Sequence, residues 1–177
     1  MTGLRLVEPT LAWAAEIRAF RRDFLENGYS MDDCGSLRRF EDPRDWIDQT
    51  EQLKREETTP PGLVPATHYL CVREADRRMV GVVQLRHRLN DFLEKYAGHV
   101  GYAVCPGERR KGCATEMLRL VLPECRALGL RRVLLCCRTD NEGSRRTILH
   151  NGGVYESTVY LAERGAHLER YWIDLGE

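Results

Sequence analysis

The chain has 177 residues, of which 42% are hydrophobic and 31% are charged. This composition is typical of globular proteins and excludes wholesale disorder, and the length predicts a single domain over residues 1–177. The 27 basic and 27 acidic residues balance, which argues against a nucleic-acid coat, so no nucleic-acid partner is predicted. No apolar run approaches the ~18–20 residues of a bilayer span, and no secretory signal opens the chain, so we expect a cytoplasmic protein without a membrane partner.

The first half of the chain predicts one strand, two helices and then three strands. Residues 4–7 form the first strand, and Thr10 is placed to cap the first helix. Asp42 followed by Pro43 has the pattern of a helix start, and we expect this second helix to reach about residue 57. The three strands are predicted at 68–73, 79–89 and 99–104.

The second half alternates helices and strands and ends in a hairpin. Residues 112–128 predict a helix with one apolar stripe, which Pro123 should kink or locally break. Residues 132–138 are almost continuously apolar, which is typical of a buried strand. A short helix over 141–151 and two strands follow, the strands at 154–161 and 168–175. The order predicts an α/β fold in which helices flank a mixed sheet.

Cysteine and histidine spacing does not indicate a metal site. The seven cysteines are odd in number and include no Cys-x-x-Cys pair at zinc spacing, and the five histidines show no ligand spacing. We expect reduced cysteines packed as small hydrophobic residues. Cys136 and Cys137 are neighbours in a predicted strand and should point to opposite faces of the sheet.

Charge is unevenly distributed along the chain. Residues 1–62 contain 9 basic and 13 acidic residues, whereas residues 105–150 contain 10 basic and 5 acidic ones. A local basic segment in a neutral chain suggests an anionic ligand, although a solvated helix face would have the same composition.

The most informative stretch is 101–115, Gly-Tyr-Ala-Val-Cys-Pro-Gly-Glu-Arg-Arg-Lys-Gly-Cys-Ala-Thr. A strand ends at Val104, and a turn rich in arginine, lysine and glycine leads directly into a helix. The first turn of a helix has unpaired N–H groups and the positive end of the dipole, and Gly112 lets an anion approach the backbone closely. The pattern predicts a pyrophosphate cradle, although spacing alone leaves an ordinary strand–helix turn equally open. It is neither a Walker A loop nor a Gly-x-Gly-x-x-Gly turn.

Two motifs resemble the GNAT superfamily of N-acetyltransferases. Arg109-x-x-Gly112-x-Ala114 matches the family's acetyl-CoA signature, and Asn141-x-x-Ser144 before a Gly-Gly pair resembles its segment after the fifth strand. Residues 98–172 look most like a group of predicted bacterial acetyltransferases of unassigned substrate. The resemblance implies a mostly antiparallel twisted sheet of about six or seven strands with about four helices, splayed between the fourth and fifth strands.

The resemblance also implies a role for individual positions. The main chain of Tyr102, Ala103 and Val104 would pair with the pantetheine arm, and the N–H near Val104 would polarise the thioester carbonyl. Asn141 and Ser144 would line the thiol end. The pyrophosphate would be bound by the backbone of Arg109, Arg110, Lys111, Gly112, Cys113, Ala114 and Thr115.

The sequence departs from the family at one catalytic position. Many members have a tyrosine as general acid where this chain has Ile148. Ser144 is our substitute proton donor, and the alternative is that its hydroxyl only bonds nearby backbone at the helix start. A thiol is a tolerable leaving group, so the loss of tyrosine need not abolish turnover.

The general base is predicted among three residues near the substrate side. An amine is mostly ammonium at neutral pH and must lose a proton before it attacks. His87, Asp91 and His99 are the candidates, and for each the alternative is a turn or surface residue without a catalytic role.

We therefore expect an enzyme that moves an acetyl group from acetyl-CoA directly to a primary amine. A non-catalytic acyl-CoA-binding or sensor module is the alternative that Ile148 favours, and a phosphoryl-transfer enzyme is a distant third. The acceptor is a small-molecule or peptide amine. The acidic first third could attract a cationic one, or could simply be solvated. The sequence also leaves a homodimer open.

Overall fold

A computed structural model describes residues 3–176 of the chain. Five α-helices and seven strands make up its regular structure, with short 3₁₀ turns between them. The helices are α1 (Ala14–Glu26), α2 (Pro43–Gln52), α3 (Asp91–Tyr96), α4 (Cys113–Ala127) and α5 (Glu142–His150). The strands are β1 (Leu4–Val7), β2 (Ala66–Arg73), β3 (Arg78–Arg86), β4 (Val100–Val104), β5 (Arg132–Arg138), β6 (Val154–Leu161) and β7 (Ala166–Asp174).

The strands form two antiparallel sheets that separate between β4 and β5. The first sheet has the order β1-β2-β3-β4 and the second the order β5-β7-β6. The predicted fold class and the predicted splay between the fourth and fifth strands are both confirmed. Every ladder within the two sheets is antiparallel, so the sheet is not mixed in the sense of containing parallel ladders.

Helices cover both faces of the first sheet. On one face, Met117, Leu118 and Val121 of α4 are fully buried against β3, β4 and the second sheet. On the other face, Phe20 of α1 and Trp46 of α2 are buried against alternate residues of β2 and β3. Because successive strand residues point to opposite faces, the two cores share the same strands and leave the end of β4 between them.

The structure corrects several predicted boundaries. The second helix begins as predicted, with the Asp42 carboxylate accepting from Arg44 N at 2.9 Å, but it ends at Gln52 rather than near residue 57. The helix α4 continues past Pro123 without a break. The six-residue helix α3, capped by Asn90, was not predicted because it is too short to show a helical apolar pattern.

Candidate active site

The two sheets meet at one point and then diverge. Gly98 forms an isolated bridge with Leu135 at the start of β4, and His99 N donates to Leu134 O at 2.8 Å. A Cβ on Gly98 would lie only 2.2 Å from that same Leu134 oxygen, so the contact requires glycine. Beyond this point no ladder joins β4 to β5 in the described chain, which leaves a V-shaped gap between the strands.

The main chain of β4 presents polar groups to this gap. Cys105 N, just after β4, donates to Val80 O, and the ladder pairs Tyr102 with Val83 and Val104 with Gly81. Because hydrogen-bonded and non-hydrogen-bonded pairs alternate in an antiparallel ladder, the main-chain groups of Tyr102 and Val104 point away from β3. An extended ligand arm in the gap could pair with them as an extra strand.

The turn after β4 displays a run of backbone amides. The N–H groups of residues 110–115 make no hydrogen bond of ordinary geometry with an acceptor in the described chain. Arg110 and Gly112 both adopt left-handed conformations, with φ of 65° and 82°, and α4 starts directly afterwards. Amides turned outward by such conformations at a helix N-terminus form a concave site for an anion.

The cations of this turn do not all face the anion site. Arg109 donates from Nε to Val104 O at 3.3 Å, and its guanidinium lies 4.2 Å from the ring centroid of Tyr29. Lys111 donates to Gly107 O at 2.8 Å and to the Glu108 carboxylate at 3.1 Å. Arg110 alone among the three has no ion pair or side-chain hydrogen bond in residues 3–176. The backbone amides are therefore the main attraction for an anion.

The base of the turn is held by a buried carboxylate. Glu108 is 3% exposed and accepts from Arg73 Nη1 at 2.9 Å. Hydrogen bonds from Arg73 and Lys111, together with their charges, keep the pKa of Glu108 below its ordinary value. This ion pair ties the turn to β2, and no local sequence signal indicated it, because Arg73 is 35 residues away.

Ser144 lies across the gap from β4, at the first turn of α5. Its Oγ is 2.8 Å from the Tyr102 hydroxyl. The Asn141 side chain caps the helix by accepting from Ser144 N at 3.1 Å, so the serine hydroxyl is not the cap. Burial raises the pKa of Tyr102, which keeps that hydroxyl protonated. Ile148 is fully buried in the hydrophobic core that α4 shares with both sheets.

The three base candidates occupy separate surroundings. His87 is half-buried with Nε2 2.8 Å from Thr67 Oγ1, and Asp91 is exposed at the start of α3. His99 is buried at the junction of the sheets and accepts from Leu134 N at Nδ1. Burial lowers the pKa of His99 to about 4. No hydrogen bond joins any two of Ser144, His87, Asp91 and His99 in the described residues.

The structure also describes the cysteines, the grouping of metal-ligating side chains and the apolar character of the helices. All seven cysteines are free and six are buried, with Cys136 half-buried and Cys137 on the opposite, buried face of β5, as predicted. Between residues 3 and 176, no three His, Cys, Asp or Glu side chains are grouped to hold a metal ion. No helix in that range has the length and apolar character to cross a membrane.

Comparison with known proteins identifies the family. Residues 4–154 match the family model described as an acetyltransferase (GNAT) domain. The chain belongs to the GNAT acetyltransferase family. The gap between β4 and β5 is thus the splay of the GNAT fold. A sequence search of curated proteins finds no significant match.

Solved structures confirm the GNAT fold over nearly the whole chain. The microcin C7 self-immunity acetyltransferase MccE, in complex with acetyl-CoA and AMP, is 20% identical with a TM-score of 0.71 over 98% of this chain and 93% of its own. An acetyltransferase from Salmonella typhimurium that modifies the N-terminal serine of a 50S ribosomal subunit protein is 19% identical, with a TM-score of 0.67 over 98% and 96%. A chimera of the spermidine N-acetyltransferase SpeG from Vibrio cholerae and hSSAT is 14% identical, with a TM-score of 0.64 over 98% and 96%.

Proposed function

We propose that this chain transfers an acetyl group from acetyl-CoA to a primary amine by direct attack. The observation that carries the proposal is the uninterrupted run of free backbone amides over residues 110–115, at the mouth of the gap between β4 and β5. Free amides at a helix N-terminus fit a pyrophosphate, and the unpaired edge of β4 fits an extended amide-bearing arm. Acetyl-CoA has these two parts joined in one molecule.

Different residues around the gap bind different parts of acetyl-CoA. The amides of 110–115 hold the pyrophosphate, with the side chain of Arg110 free to add charge. The main chain of Tyr102 and Val104 orients the pantetheine, and the Val104 N–H faces the thioester carbonyl. Arg109 acts indirectly, because its hydrogen bond to Val104 O fixes the end of the strand.

Chemistry at the thiol end falls to the hydroxyls of Ser144 and Tyr102. When the amine attacks, a C–N bond forms, the C–S bond breaks and charge develops on sulfur. Ser144 donates a hydrogen bond or proton to this sulfur, and Tyr102, 2.8 Å away, orients the serine hydroxyl. The pair takes the place of the tyrosine that many family members have at the position of Ile148.

Among the predicted bases, His99 has its Nδ1 occupied by a structural hydrogen bond. Its Nδ1 already accepts a hydrogen bond from Leu134 N, so the neutral ring has its proton on Nε2. To take a second proton, the ring would lose that bond, which joins the two sheets. His87 and Asp91 stay as proposals for a water chain that carries the amine's proton to solvent.

The acceptor is proposed only as a primary amine. The related structures include an enzyme for an N-terminal serine and one for spermidine, which differ in size and charge. Their identities to this chain are too low to choose between such acceptors. The alternative function, a binding module without catalysis, keeps the same cradle and is distinguished by experiment.

The test measures release of free CoA from acetyl-CoA, with and without a panel of amines that includes spermidine and a serine-initiated peptide. Amine-dependent thiol release together with an acetylated amine by mass spectrometry supports the enzyme. Tight acetyl-CoA binding by calorimetry with no turnover across the panel supports the binding module. Absence of acetyl-CoA binding contradicts both functions.

A further inference from the structure

A tight turn between α1 and α2 carries a carboxylate above β4. Asp33 occupies the turn that closes where Cys34 N donates to Met31 O at 3.0 Å. Met31 and Cys34 are buried beneath the turn, and Trp46 Nε1 donates to Gly35 O at 2.8 Å. These contacts fix the backbone on both sides of Asp33, so the position of its carboxylate is set by the fold.

The carboxylate faces the strand that lines the gap. From the point where a Cβ would sit on Gly101 of β4, Asp33 Oδ1 is 3.6 Å away and Arg86 Nη2 is 3.4 Å away. Because glycine has no side chain, the Asp33 carboxylate and the Arg86 guanidinium come within van der Waals distance of the position that a Cβ would occupy. Gly101 directly precedes Tyr102, whose main chain borders the gap.

The Asp33 carboxylate has no polar partner in the described part of the chain. No hydrogen bond or ion pair engages its carboxylate within residues 3–176. Arg86 donates instead to Gly98 O at 3.0 Å and to Gln84 Oε1 at 3.0 Å. The neighbouring Asp32 is paired with Arg164 at 2.8 Å, so only one of the two acidic residues of the turn has an ion-pair partner in the described chain.

We propose that Asp33 binds the ammonium group of the acceptor above Gly101 and accepts its proton before attack. This inference rests on the proposed acetyl transfer and names its base. The carboxylate takes one proton from the ammonium and becomes a carboxylic acid. The freed nitrogen lone pair forms the C–N bond as the C–S bond breaks. The nitrogen then loses its second proton, which balances the proton taken up by the departing sulfur, and the carboxylic acid later returns its own proton to water.

The surroundings of Asp33 favour this proton transfer. Asp33 reaches solvent, yet protein atoms surround it closely enough that burial raises its pKa, while the charge of Arg86 opposes the rise. A raised pKa brings a carboxylate nearer to that of an amine and makes it a better base. Arg86 also disfavours a second positive charge beside it, which lowers the pKa of a bound amine.

Four other charged or titratable groups face Asp33. Asp32 is adjacent in the turn, and Arg164 approaches from the turn between β6 and β7. The Cys34 thiol and the Tyr102 hydroxyl also face it, and burial raises the pKa of both, so they stay neutral at physiological pH. A hydrogen bond with Ser30 and the charge of Arg164 lower the pKa of Asp32, which keeps that carboxylate ionised. Asp33 is therefore the group in this set that is suited to take the acceptor's proton.

The test compares Asp33→Asn with the matched variant Asp32→Asn, using spermidine and a serine-initiated peptide as acceptors. We expect Asp33→Asn to lower kcat/KM for the amine by about a hundredfold or more, the usual scale of general-base catalysis, with acetyl-CoA binding unchanged. Asp32→Asn should stay within about threefold of wild type, because its ion pair is exposed. The low-pH limb of the kcat/KM profile should disappear in Asp33→Asn, and Asp33→Glu should restore part of the rate.

Two results would overturn the inference. Asp33→Asn could stay within about threefold of wild type, or Asp32→Asn could lose as much activity as Asp33→Asn does. If wild type acetylates no amine, the proposed function fails, and spermidine binding to the CoA-saturated protein decides about Asp33. Binding that is lost only in Asp33→Asn would uphold the cation site. Binding that is absent in wild type, or equal in all variants, would reject it.

Discussion

The hydroxyl of Tyr102 on β4 and that of Ser144 on α5 lie 2.8 Å apart, across the gap between the two sheets. Apart from the Gly98–Leu135 junction, this is the main polar contact that connects β4 to the far side of the gap. In the proposed function, these two oxygens face the thiol end of the pantetheine arm. The pair would then be both a structural bridge and the proton source for the departing sulfur.

Replacing Ser144 with alanine separates catalysis from capping. If the Ser144 hydroxyl protonates the departing sulfur, Ser144→Ala should lower kcat and kcat/KM together, toward the lower end of the ~10²–10⁴-fold effect of an acid. Acetyl-CoA binding should hardly change. Stability should fall by only about 1 kcal/mol, because the Tyr102 hydroxyl loses its partner while Asn141 still caps the helix. The measurements are steady-state kinetics and a melting curve.

Two further variants serve as controls for that prediction. Asn141→Ala removes the cap and should cost roughly 0.5–2 kcal/mol of stability. Tyr102→Phe removes only the partner hydroxyl and should lower kcat less than Ser144→Ala does. Wild-type turnover in Ser144→Ala would rule out the catalytic hydroxyl and leave the thiolate to depart unaided.

The anion cradle is tested by two glycines at opposite ends of α4. Gly112 and Gly129 have φ of 82° and 83°, and a Cβ on either would contact nothing within 4 Å. Valine at either position should therefore cause similar strain, about 1–2 kcal/mol. Only Gly112→Val places a side chain against the free amides, so only it should raise the Kd for acetyl-CoA, by about tenfold or more. If calorimetry gives the two variants equal Kd values for acetyl-CoA, the amides of residues 110–115 do not bind its pyrophosphate.

The elements predicted best are those with strong local patterns. The strands β5 and β6 have the predicted bounds, because a continuous apolar run and a preceding Gly-Gly pair define them within a few residues. The helix predicted over residues 112–128 is observed as α4, and it shows no break at Pro123, where a kink or local break was expected. A single proline removes one hydrogen bond, and the buried stripe of Met117, Val121 and Cys125 keeps the helix together.

The site was predictable only where it is contiguous in sequence. The turn from Arg109 to Gly112 shows its charge, its glycine and the following helix in one short stretch. The Tyr102–Ser144 pair spans 42 residues, and Asp33 meets Gly101 only because the turn after α1 folds over β4. Such contacts depend on tertiary structure, and no spacing rule in the chain reveals them.

The buried carboxylate under the cradle gives a third prediction. Glu108→Gln leaves Arg73 and Lys111 without their shared acceptor charge, and we expect a loss of roughly 1–3 kcal/mol of stability. The turn that holds the free amides should loosen, so the Kd for acetyl-CoA should rise as well. Glu116→Gln is the control, because it removes an exposed ion pair with Arg119 and should cost about 0–1 kcal/mol. If denaturant unfolding and calorimetry show no difference between the variants, Glu108 does not anchor the turn.

Two buried histidines predict how stability depends on pH. Burial and the charge of Arg86 lower the pKa of His68 to about 3 and that of His99 to about 4. The unfolded chain titrates these groups near ~6.5, so below that pH it binds more protons than the native state does. Their contribution is complete above about pH 7 and is lost as the pH falls, by up to ~1.4 kcal/mol per pH unit for each histidine.

Replacing His68 removes one of these two groups. His68 is fully buried, and neither ring nitrogen has a hydrogen-bond partner in the described chain, so His68→Leu loses no bond. The free energy of unfolding, measured in urea between pH 7 and pH 5, should fall less steeply in His68→Leu than in wild type, by up to ~1.4 kcal/mol per pH unit. A slope in His68→Leu equal to that of wild type would mean that His68 is not held neutral by the fold.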